Sequence, residues 1–123
     1  MKISRKILIA VTGTGFLAGP LLAAELVGEW SLSQDECDEM RVIYTADGDN
    51  PTKVNAAGDW VEVSEPTTYE FDGENLVVET AARRDAWTVT TLTENRLEMV
   101  NQDPDAAEHG AGEASFVRCG PRG

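Results

Sequence analysis

Histidine is nearly missing from this chain, which has one among 123 residues. That residue sits in Glu108-His109-Gly110-Ala111-Gly112, a stretch too rich in glycine to hold a catalytic base against a fixed partner. Cysteine is scarce as well, and two cysteines with one histidine do not assemble a usual zinc ligand set. Ser31, Ser33, Ser64 and Ser115 lie in or beside alternating runs, and none has the Gly-x-Ser-x-Gly setting that exposes a nucleophile. Gly-rich phosphate cradles are absent too. The sequence therefore names no catalytic residue, no metal ligand and no cofactor, and a non-catalytic protein is expected. Helical periodicity is also lacking beyond residue 24, which argues against a helix bundle.

Positive charge is the other shortage. The chain carries 10 Lys and Arg against 22 Asp and Glu, a formal net charge of −12. Three of those basic residues, Lys2, Arg5 and Lys6, belong to a basic start followed by the mostly apolar stretch 7–22 and by Ala23-Ala24. This is the layout of a secretory signal, so residues 1–24 are expected to be removed and 25–123 to form one domain. Seven basic residues then face all 22 acidic ones, and the net charge falls to −15. Nucleic acid and anionic membranes are excluded as partners on that ground. Past the leader the only adjacent basic pair is Arg83-Arg84, and Asp85 follows at once. The leader itself is interrupted by three Gly and Pro20 within 7–22, whereas a spanning helix needs about 20 apolar residues. No stable membrane insertion is expected after its removal, and the location implied is periplasmic or secreted.

Cys37 and Cys119 both fall in the exported part, where an oxidising compartment favours a bridged pair over free thiols. A disulfide there would close a loop of about 80 residues, worth roughly 4 kcal/mol on the chain-entropy account.

Apolar residues make up 41% of the chain, with three Trp, enough for a core. Short alternating runs recur between Gly, Asn, Asp and Pro punctuation, which predicts an all-β domain. Strands are expected at 26–33, 40–45, 60–64, 67–71, 76–80, 86–92, 97–101 and 113–119, with loops at 46–58 and 102–112. In the second of these, Met40, Val42 and Tyr44 face away from Arg41, Ile43 and Thr45. Single helical turns are expected near 34–39 and 103–108. About eight short antiparallel strands solve their edge problem best by closing, so the expected architecture is a small up-and-down barrel, with a two-sheet sandwich as the alternative.

Gly28-Glu29-Trp30 opens the first strand of the mature chain and Arg118 lies in the last. In this the sequence resembles the lipocalins and the wider calycin group, whose Gly-x-Trp motif sets a Trp at the closed end of the barrel with a basic residue of the final strand across its indole. The resemblance implies those structural roles for Trp30 and Arg118, and a cation over an indole is physically favourable. The opening 26–30 is also similar to that of a secreted bacterial family of small barrel inhibitors of metalloproteases.

If the barrel is open, Tyr44, Tyr69, Phe71, Trp87 and Met99 are its candidate ligand-binding wall, because each follows the apolar alternation of a strand. If it is solid, the same five are its core. The acidic clusters at 35–39 and 47–50 do not have the spacing of a calcium loop and read as solvated surface. Two functions remain: a binding module, taken to be a monomer, for a small apolar molecule, or a protein-interaction module, such as a protease inhibitor, built on a filled barrel.

Overall fold

A computed structural model describes residues 23–121; the expected leader lies outside them up to residue 22. One turn of helix, α1 (Ala23–Leu26), precedes nine strands: β1 (Gly28–Ser31), β2 (Met40–Tyr44), β3 (Thr52–Ala56), β4 (Asp59–Glu62), β5 (Thr68–Phe71), β6 (Asn75–Glu79), β7 (Arg84–Leu92), β8 (Arg96–Asn101) and β9 (Glu113–Arg118). Two 3-10 turns, Asp35–Asp38 and Ala106–His109, interrupt them. All nine strands belong to one sheet in the order β4-β3-β2-β1-β9-β8-β7-β6-β5. Every neighbouring pair is antiparallel. The fold is all-β.

Side-chain oxygens set the tight turns of the second half. Asp72 accepts hydrogen bonds from the backbone N–H groups of Glu74 and Asn75 between β5 and β6. Thr80 does the same for Ala82 and Arg83 before β7, and Thr93 for Asn95 and Arg96 before β8. Each is a local mimic of a backbone turn, two and three residues on. Burial would raise the Asp72 carboxyl, but the donated N–H bonds outweigh it and hold the group below its ordinary range.

Cross-strand register then places the apolar residues on one face. Phe71 lies opposite Leu76 and Leu76 opposite Trp87; Val89 lies opposite Met99 and Met99 opposite Ala114; Leu92 lies opposite Leu97 and Leu97 opposite Phe116. Trp30 and Val42 continue the face through β1 and β2. One cluster results, holding Leu26, Trp30, Tyr44, Tyr69, Phe71, Leu76, Val89, Leu92, Leu97 and Met99, with Trp87 and Phe116 packed against it.

Two expectations need correction. The stretch 46–58 contains the strand β3, so there are nine strands rather than eight; its Lys53 and Asn55 alternate with Thr52, Val54 and Ala56, a pattern too polar to stand out. The first strand is shorter than 26–33, because the chain is helical up to Leu26 and Gly28 has a φ of +149°. Among the described residues no ladder joins β4 to β5; an isolated bridge instead pairs Asp49, in the β2–β3 connection, with Thr68 of β5. Around it Asn50 donates its N–H to the Thr67 carbonyl and Tyr69 to that of Gly48. The β2–β3 connection, not β4, thus meets β5.

Candidate functional site

Trp30 and Arg118 are register partners on β1 and β9. The indole is fully buried, its Nε1–H donates to the Leu26 carbonyl at 3.0 Å, and the Arg118 guanidinium lies 4.2 Å from the ring centroid. That guanidinium also donates to three carbonyls, those of Glu94, Val27 and Glu25, at 2.6, 2.9 and 2.6 Å. A side chain on Gly28 would collide with the Arg118 head. Gly28, Trp30 and Arg118 thus form one interlocked group, in which the indole N–H and all three guanidinium nitrogens donate to backbone carbonyls of the protein itself.

The five wall candidates are brought together, but as packing. Tyr44, Tyr69, Phe71 and Met99 are buried members of the core cluster and Trp87 packs against it half-buried. The Tyr44 and Tyr69 rings meet edge to face with centroids 5.0 Å apart. Burial pushes both phenols up, and for Tyr69 the Asp49 carboxylate adds to it. Tyr69 donates its hydroxyl to the Thr45 carbonyl. No hydrogen bond to the Tyr44 hydroxyl occurs among the described residues.

Across the sheet from this core lies a polar knot that alternation did not reveal. Arg41 is 3% exposed. Its Nε donates to the Cys37 carbonyl at 2.7 Å, and its Nη1 donates to Glu29 Oε1 at 3.1 Å and to the Gly120 carbonyl at 2.5 Å. Trp60 of β4 covers it at 5.4 Å. Beside it Cys37 and Cys119 form the disulfide, spanning 82 residues. The sequence signal for Arg41 was available only as its phase: it faces away from Tyr44, with Ile43, which is also buried.

A half-open cleft of about 520 Å³ lies between the 46–49 turn and the strands β5 and β6. Asp47, Asp49, Glu70, Asp72 and Glu79 line it together with Val77 and two of the wall candidates, Tyr69 and Phe71, and no basic residue does. Among the described residues no cluster of His, Cys, Asp and Glu could hold a metal ion. His109 is exposed on its 3-10 turn, with Nδ1 3.2 Å from the Asp105 carbonyl. No helix of the described residues is long and apolar enough to cross a membrane.

No family model matches the chain, and no curated protein or solved structure matches it either. Fold and contacts together define a disulfide-tied all-β domain.

Proposed function

We propose that this chain is an exported, non-catalytic binding module that works through its outer surface on a protein partner, its strands closing as a small lipocalin-like barrel with a filled interior. The observation that carries this reading is the fate of the candidate wall: Tyr44, Tyr69, Phe71 and Met99 are spent on one another and on Leu76, Val89 and Leu97. Small barrels commonly fill with their own side chains in this way. Closure is supported by the bridge from Asp49 to Thr68 and by the two backbone hydrogen bonds flanking it. The calycin-type base is supported by Trp30 under Arg118, and export to the periplasm or beyond by the disulfide.

Titration of the purified protein with an apolar fluorophore, alongside mass spectrometry under native conditions, tests the reading. No saturable fluorophore uptake and no small molecule carried through purification are expected. A stoichiometric apolar ligand, or uptake lost in Phe71→Trp, would overturn the filled interior and restore the small-molecule module.

A further inference from the structure

Strand β4 ends the strand order and pairs with β3 alone among the described strands. Val63 donates its N–H to the Thr52 carbonyl. Because antiparallel bonding alternates, Val61 and Asp59 also face β3 while the peptide groups of Glu62 point away from the sheet. Natural edge strands are guarded by shortness, charged side chains, Pro, bulges or a covering segment. Residues 59–63, Asp-Trp-Val-Glu-Val, contain no Lys and no Pro, and their two charges, Asp59 and Glu62, are both acidic, a guard against another acidic edge and not against a cationic one. Their two aliphatic side chains, two positions apart and so on one face, are 45% exposed at Val61 and 56% at Val63.

Charge decides what such an edge can accept. The hairpin 52–65 carries Lys53 against Asp59, Glu62 and Glu65, on a chain whose net charge is −12. A second copy laid along β4 would set acid beside acid, which is unfavourable between facing strands. An extended cationic segment meets the opposite situation, since complementary potentials speed encounter and fix register.

We infer that β4 is a docking edge for an extended partner segment in which aliphatic and cationic side chains alternate, added as a further strand beside Glu62. Its main-chain groups bond the outward peptide groups at Glu62, its aliphatic side chains cover Val61 and Val63, and its Lys or Arg residues face Glu62. This rests on the surface-acting reading above and names the partner's chemistry.

The test uses a capped ten-residue peptide of alternating valine and lysine, followed by amide shifts of the labelled protein. Saturable shifts centred on 59–63, new exchange protection at the Glu62 amide and binding about tenfold or more weaker for the glutamate–valine counterpart are expected. Glu62→Pro removes the outward N–H without costing a bond to β3 and should abolish binding. Should that variant lose its fold, Val63→Lys at an exposed position must abolish binding instead. Shifts centred on the acidic cleft at 46–49 and β5–β6 would overturn the edge while leaving the surface-acting reading in place. So would a dimer of the protein alone that Val63→Lys dissociates, since the occupant would then be a second copy. No saturable shift at about 1 mM peptide would also overturn it, whereas failure of the surface-acting reading is read independently by fluorophore uptake.

Discussion

Trp30 and Arg118 sit opposite each other in register, so the 4.2 Å stack between them is set by the backbone pairing of β1 with β9 and not only by side-chain attraction. The Arg118 head cannot slide off the indole without giving up the carbonyls of Val27, Glu25 and Glu94.

Trp30→Ala should therefore cost about 3–5 kcal/mol, the loss of a buried aromatic. Gly28→Ala should cost about 1–3 kcal/mol, because its +149° φ suits glycine and the added methyl strikes Arg118. Chemical denaturation measures both. An unchanged midpoint in Gly28→Ala would mean that Arg118 does not occupy the space above it.

Arg41→Met should destabilise by about 1–3 kcal/mol, because the buried Cys37 carbonyl loses its donor and the part-exposed Glu29 carboxylate loses a cation. Removing the guanidinium from Trp60 should also alter tryptophan emission in the folded protein. Retention of full stability would show that these acceptors find water instead.

Reduction of the disulfide should lower stability by roughly 4 kcal/mol, the loop-closure entropy for a cross-link spanning 82 residues. Paired melts of the native protein and of a Cys37→Ala, Cys119→Ala variant, with and without reductant, measure it. The variant should be insensitive to reductant.

Tyr44 gives an alkaline limit. Its folded pKa is raised above the unfolded value, burial being the main cause and Tyr69 the lesser. Its contribution is fully present below the unfolded pKa of about 10 and is lost as pH rises toward the folded value. Tyr44→Phe removes a buried hydroxyl without a hydrogen-bond partner among the described residues, so stability at neutral pH should hold or rise. The alkaline unfolding midpoint should move upward. An unmoved midpoint would assign alkaline unfolding to another group.

Where a strand is buried on one face only, its alternation could be read directly, as for Tyr69 and Phe71, or Leu97 and Met99. The same signal grouped the five wall candidates, which do converge. It failed at Thr52–Ala56 because a peripheral hairpin buries little on either side, leaving no contrast to detect. It failed differently at Arg41, where the polar phase of β2 is covered by Trp60 and tied to the disulfide. A cover supplied by a residue 19 positions away leaves no mark on local periodicity. The acidic cleft was equally hidden, since its carboxylates come from three separate segments and looked like the general acidity of the chain.

Pairing of the first strand with the last has a consequence for how the molecule comes to be folded. Arg118 bonds the Glu25 carbonyl across 93 positions, so β1 cannot acquire its second neighbour, nor Trp30 its cation, until β9 has been made. Such distant contacts make for slow assembly, because loop closure must precede the reward. The nascent chain is thus held back from its final state by its own topology, since the pairing that completes β1 waits for a strand more than eighty positions further on.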